Sequence, residues 1–284
     1  MKKRLSLVLA LALALSMAPA APAKGAEAET TIVLGAAASL KYVFDDQLIP
    51  LFEEQHPGIK VEATYDSSGK LQTQIEEGAD WDVFFSAGQK QMTALQEAGL
   101  MLDDTVKVQV TNELVLIVPK GSELGIASVT DILNADTIAV GDPADVPVGQ
   151  YTQKTLSALT VDGQPTEGED NLWNAIQEKE ISLGTNVTEV LSWVAEGSAD
   201  CGFTYRTDAM QKADDVEIIE GLAPATYPIG VIASSTKQDA AKTFVEFLST
   251  DEALEQFVAY GFTLPEAEEA AEETTAAAET TAAE

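Results

Sequence analysis

The chain has little of what nucleophilic, metal or nucleic-acid chemistry draws on. Cys201 is its one cysteine and His56 its one histidine, so no disulfide can close within the chain and no His/Cys cluster can hold a metal ion. Lys and Arg together number 16 against 47 Asp and Glu, a formal net charge of -31 that makes nucleic acid and anionic membrane poor partners. Aromatic residues are 6% of the chain, and Trp81, Trp173 and Trp193 have no basic residues interleaved with them, so they read as packing groups rather than stacking platforms. Beyond the N-terminus no stretch approaches the ~18 uninterrupted apolar residues that a membrane-spanning helix needs.

What is present begins with an address. Lys2, Lys3 and Arg4 precede an apolar run from Leu5 to Met17, and small residues follow, including Ala21-Pro22-Ala23 and Ala26-Glu27-Ala28. Residues 1–28 are therefore expected to be a secretory signal peptide, cut between Ala23 and Ala28, and no Cys follows to carry a lipid. At the other end, residues 265–284 hold seven Glu, no Lys and no aromatic residue, the composition of a disordered acidic tail. The mature chain is expected to be an exported monomer held by its apolar core, with the acidity serving solubility.

Between these ends strand and helix signals alternate. Thr31 to Leu34 reads as a buried strand leading to Ser39, which is expected to be the N-cap of a helix with Val43, Phe44, Leu48, Leu51 and Phe52 on one face and His56-Pro57-Gly58 at its end. Ile59 to Ala63 leads to Ser67-Ser68-Gly69 and a helix from about Lys70 to Glu77; Asp82 to Phe85 ends at Ser86-Ala87-Gly88. Thr137 to Val140 precedes Gly141-Asp142-Pro143 and a helix near Gly149, and Ile181 to Leu183 precedes Gly184-Thr185-Asn186 and a helix over Val187 to Ala195. This is an α/β pattern, in which binding groups gather beyond the carboxyl ends of the strands. Two apolar strands, Leu114 to Val118 and Ile229 to Ala233, are expected to cross between two lobes. Lobe I then takes residues 29–113 and 229–264, and lobe II takes 114–228.

Five of these junctions place a hydroxyl or a free backbone N–H at the end of a strand: Ser39, Ser68, Val148, Val187 and Tyr205. Neutral donors at helix starts suit a fully ionised oxyanion, because the first N–H groups of a helix lack internal partners and lie at the positive end of its dipole. Ser67-Ser68-Gly69 lacks the frame of a P-loop. Asp66 beside Ser67 either faces the ligand, as a site for hydrogen phosphate would need, or forms the turn and caps the helix, which is the reading adopted; Lys70 is expected to reach solvent. His56 is expected in a solvated turn and Cys201 as a buried small hydrophobe. A serine enzyme is the rival from another class, but the only histidine sits far from the predicted cleft, and no catalytic role is expected.

The segments VLGAAASL (33–40), SSGKL (67–71) with Gln74-Ile75, DVFFSA (82–87), VGDP (140–143) with VPVG (146–149), TYRTDA (204–209) and YGFT (260–263) together resemble the molybdate-binding proteins of ABC transporters. The likeness spans about Thr31 to Thr263. It implies a two-lobed periplasmic-binding-protein fold, each lobe a mixed sheet flanked by helices, with a hinge of two crossing strands. It also implies a ligand, molybdate or tungstate, without any cofactor, and a membrane permease as partner. Carried over by motif, Ser39 and Ser68 would donate from hydroxyl and backbone N–H, Val148 and Val187 from backbone N–H, and Tyr205 from its phenol. A receptor of the same fold for sulfate or phosphate is the nearest alternative.

Overall fold

The computed structural model describes residues 29–265; the signal-peptide assignment and all of the tail beyond Pro265 lie outside the described residues. One eight-stranded sheet organises the chain. Its strands are β1 (Thr30–Ala37), β2 (Ile59–Asp66), β3 (Val83–Phe85), β4 (Lys107–Pro119), β5 (Thr137–Gly141), β6 (Glu180–Gly184), β7 (Cys201–Tyr205) and β8 (Val216–Val231), and their order across the sheet is β2-β1-β3-β8-β4-β7-β5-β6. The outer groups β2-β1-β3 and β7-β5-β6 are parallel, whereas β8 and β4 are antiparallel to each other and to their neighbours.

Helices cover both faces, because the sheet is apolar on both. Along β4, Leu114, Leu116 and Val118 face the largest apolar cluster while Val115 and Ile117 face a second one, and in β3 Val83 and Phe85 point opposite to Phe84. The α-helices among the described residues are α1 (Lys41–Val43), α2 (Ile49–Gln55), α3 (Ser68–Glu76), α4 (Gln89–Glu97), α5 (Pro147–Ser157), α6 (Leu172–Ile176), α7 (Val187–Ala195), α8 (Arg206–Gln211), α9 (Gln238–Phe247) and α10 (Asp251–Ala259). Helices α3 and α4 pack Leu71, Ile75, Met92 and Leu95 beneath Phe84, and α7 packs Val190, Leu191 and Val194 against Val115, Ile117 and Ala139.

Strands β4 and β8 link the two parallel groups. The lower part of β8 pairs with β3 through Ile229–Val231, whereas β4 pairs with β7 through Leu114–Ile117; between them Thr111 lies opposite Thr226 and Glu113 opposite Pro224. The ladder slips at Val108/Val110, Leu114/Val115 and Leu116/Ile117, and such bulges bend a strand pair. The expected crossing strands are thus present but longer than the apolar runs that signalled them. Strand β8 begins 13 residues before Ile229, in a segment whose Glu217, Glu220, Pro224 and Pro228 hid it.

The first helix is not the single helix expected. A 3-10 turn (Ala38–Leu40), α1, a π-helical stretch (Phe44–Leu48) and α2 follow one another, with Val43, Phe44, Leu48 and Phe52 buried. His56 is also a correction. It is half-buried, with its ring stacked on Phe52 at 4.5 Å between centroids and Nδ1 3.1 Å from the Phe52 carbonyl.

Candidate functional site

The two parallel groups run in opposite directions, because three antiparallel pairings separate β3 from β7, and the segment after each of their strands turns straight into a helix or a tight turn. The five residues singled out in the sequence lie at these junctions. Ser39 follows β1, Ser68 follows β2, Val148 follows β5, Val187 follows β6 and Tyr205 ends β7, and all five line one cavity together with Asp66, Ser67, Ala87 and Pro147. It has about 210 Å³ of space free of protein atoms, part of it open to solvent.

The N–H groups around this cavity are left over by the way each helix starts. In α5, Pro147 occupies the first position and has no N–H, and the preceding Val146 brings no capping side chain, so Val148 N–H is unclaimed. In α7, Asn186 accepts from Glu189 N at 3.0 Å while Glu189 reaches back to Thr185 N at 2.7 Å, a capping box that satisfies its neighbours and leaves Val187 N–H free. At α3, Ser67 caps Lys70 N, Asp66 Oδ1 takes Ser67 N at 2.8 Å, and Asp145 O takes Gly69 N at 3.0 Å. Ser68 N–H remains. With Ser39 N–H these make four backbone donors without a protein acceptor among the described residues.

Hydroxyls complete the set. Ser68 is fully buried and its Oγ accepts from Ala87 N at 2.9 Å, so its own proton is free to be donated. Ser39 is buried with its Oγ 2.8 Å from Tyr227 Oη. This corrects the expectation of an N-cap: Ala37 precedes the 3-10 turn, Ser39 lies inside it, and no side chain caps it. The GAAASL motif (35–40) extends β1 by three residues beyond Leu34, which carries the start of the turn past the place the apolar pattern marked. Tyr205 Oη lies 3.3 Å from the Ala87 carbonyl, and burial pushes its phenol well above the ordinary tyrosine range, so it stays protonated and donating.

Among the described residues no Lys, Arg or His lines the cavity, and Asp66 is the one carboxylate that does. Asp66 Oδ1 is also 3.3 Å from Lys70 Nζ, so that oxygen is held by Ser67 N and Lys70 while Asp66 stays on the cavity wall. Cys201 is buried in β7, where burial lifts its thiol to about 12. A larger, more open depression lined by Thr30, Ser235 and Lys237 lies elsewhere, and its lysine is already bound to the buried Asp82 at 3.0 Å.

Sequence reasoning missed the layer behind the cavity. Tyr227 on β8, Asn112 on β4 and Thr207 and Asp208 on α8 are all buried and bonded in series, from Ser39 through Tyr227 and Asn112 to Thr207 and Asp208. Burial pushes the Asp208 carboxyl up to about 7. Asp208 lay within the quoted TYRTDA segment, but nothing in the spacing of Asn112 and Tyr227 could have marked them.

A two-lobed receptor architecture with a cleft of neutral donors at the strand ends is the class that fold and site define. A family model described as bacterial extracellular solute-binding protein matches residues 32–263, and the chain belongs to that family. It is 33% identical over 243 residues to YvgL of Bacillus subtilis (strain 168), covering 84% of this chain and 88% of that protein. It is 32% identical over 244 residues to the molybdate-binding protein ModA of Haemophilus influenzae, covering 83% and 91%. Among solved structures, the periplasmic molybdate-binding protein of Azotobacter vinelandii superposes with a TM-score of 0.68 at 23% identity, covering 83% of this chain and all of that one, a likeness of fold.

Proposed function

We propose that this chain captures molybdate or tungstate between its lobes outside the cytoplasm and hands it to an ABC permease, as a monomer and without catalysis. The observation that carries this reading is the convergence, among the described residues, of four unclaimed N–H groups and three hydroxyls on one cavity that no cationic side chain lines. A tetrahedral dianion offers only acceptors, and each charge-assisted hydrogen bond to it contributes roughly 1.5–3 kcal/mol when the donors are already in place. The relatives named for molybdate, at 30–32% identity over most of the chain, support the choice of anion. On this reading lobe I comprises residues 29–113 and 229–264, lobe II comprises 114–228, and β4 and β8 form the hinge. The start of the chain serves as an export signal cut between Ala23 and Ala28.

The two lobes supply complementary half-sites: Ser39 and Ser68 from one, Val148, Val187 and Tyr205 from the other. The long Tyr205 bond to Ala87 yields to a charged acceptor, which draws a shorter one. Phosphate carries a proton near neutral pH and needs an acceptor; Asp66 is bonded through Oδ1 to Ser67 and Lys70, and on this reading its Oδ2 does not turn to the anion. Titration calorimetry of the mature protein with molybdate, tungstate, sulfate and phosphate tests the reading. Molybdate and tungstate should bind with phosphate at least about a hundredfold weaker; tighter binding of sulfate or phosphate would reassign the receptor within the same fold.

A further inference from the structure

The buried series behind Ser39 has a fixed polarity, and that polarity follows from donors that have no choice. The Glu113 N–H can only donate, and it lies 2.9 Å from Asn112 Oδ1, so the Asn112 amide nitrogen faces the other way. That nitrogen points at Thr207 Oγ1 at 2.8 Å and at Tyr227 Oη at 3.3 Å. Tyr227 is fully buried and held neutral, its phenol pushed well above the ordinary range by burial. Its oxygen accepts from Asn112. Within 3.5 Å the acceptor left for its proton is Ser39 Oγ at 2.8 Å, with the Tyr205 phenol the next neighbouring group. Ser39, having accepted there, must send its own proton elsewhere, and it lines the cavity.

We propose that Asn112 and Tyr227 are positioning residues that lock the Ser39 hydroxyl as a donor into the cavity and so set its selectivity for oxyanions that carry no proton. The inference rests on the oxyanion-binding reading above. A serine hydroxyl free to rotate can either donate or accept, and one that accepts tolerates a protonated oxyanion such as hydrogen phosphate. With Tyr227 directing it, the serine loses that freedom. Hydrogen bonds in such a chain also polarise one another, which strengthens the terminal donor. The residues come from different elements, β4 for Asn112, β8 for Tyr227 and the turn after β1 for Ser39, so the locked hydroxyl is tied to the strand pair that joins the two halves of the sheet.

A double-mutant cycle on the full mature protein tests this, with molybdate and inorganic phosphate as probes. Tyr227→Phe keeps the ring and removes only the oxygen, so it should weaken molybdate by roughly tenfold and weaken phosphate much less, narrowing the ratio between them. The effect must pass through Ser39. On a Ser39→Ala background, Tyr227→Phe should cost nothing further. An equal loss with and without Ser39, or an unchanged ratio of the two anions, would mean that Tyr227 acts through packing, and the inference would fail. Asn112→Asp gives a second arm: its carboxylate accepts from Tyr227, reverses the series and lets Ser39 accept. It should therefore narrow the ratio as Tyr227→Phe does, and a parental ratio there would equally overturn the inference. Were the parent protein itself not to bind molybdate, the fault would lie with the proposed function.

Discussion

Replacing Gly69 by alanine should abolish tight molybdate binding while leaving the free protein as stable as the parent. Gly69 is in the first turn of α3, and a Cβ added there would lie 2.2 Å from the carbonyl oxygen of Asp145 and 2.8 Å from its carbonyl carbon. Those atoms belong to the loop between β5 and α5, across the cleft, and Gly69 N donates to the same oxygen at 3.0 Å. Backbone cannot give way as a side-chain tip can. Alanine is nonetheless a better helix former than glycine, so nothing within the lobe that holds α3 is lost. What is lost is the approach of the lobes, and with it the donors of one half-site. Forfeiting even two charge-assisted hydrogen bonds weakens binding by about a hundredfold. Calorimetry paired with a thermal melt reads both sides. Parental affinity in Gly69→Ala would show that the lobes need not meet as they do here, and a large fall in the melting temperature of the free protein would show that the glycine serves the fold instead.

The second large effect is on stability, and it comes from Asp208. Burial lifts this carboxyl from 3.8 to about 7, with Thr207 Oγ1 3.4 Å away and the phenols of Tyr205 and Tyr227 as neighbouring titratable groups. Below about pH 4 both folded and unfolded chains hold the proton, and the group contributes nothing to the pH dependence. Between about pH 4 and pH 7 the unfolded chain releases it while the folded one keeps it, so stability falls as pH rises, by about 1.4 kcal/mol per pH unit. Above about pH 7 both forms are ionised and the cost levels off. Asp208→Asn removes this slope. Compared with the parent, the variant should gain on the order of 4 kcal/mol in relative stability between pH 4 and pH 8. Denaturant melts at those two pH values measure it, and parallel profiles would place the Asp208 proton outside this account.

Much of this was legible because strand ends and helix starts leave local marks. Pro147 before Val148, Asn186 with Glu189 before Val187, and Ser67 before Ser68 each signal a helix start whose next N–H has no internal partner, and these three marks converge on one cavity. Helix α7 begins and ends where its apolar spacing put it, at Val187 and Ala195. Ser39 shows the limit. Its neighbours Ala36, Ala37 and Ala38 suit strand and turn alike, so the N-cap assignment had no local signal to correct it, and the partner that decides its hydroxyl, Tyr227, lies 188 residues away. The long crossing strands were under-read for a related reason. The strands β4 and β8 pair with each other over most of their lengths, and that mutual support lets β8 carry Pro224, Pro228 and two glutamates that a strand reading penalises.

The most direct test is a crystal structure of the mature protein grown with molybdate, located by the anomalous signal of molybdenum. The account predicts one molybdenum peak between the lobes, with its oxygens about 2.7–3.1 Å from donors of Ser39, Ser68, Val148, Val187 and Tyr205 and no cation or carboxylate in contact. A peak at any other place, or an Asp66 carboxylate or Lys70 ammonium bound to the anion, would contradict it.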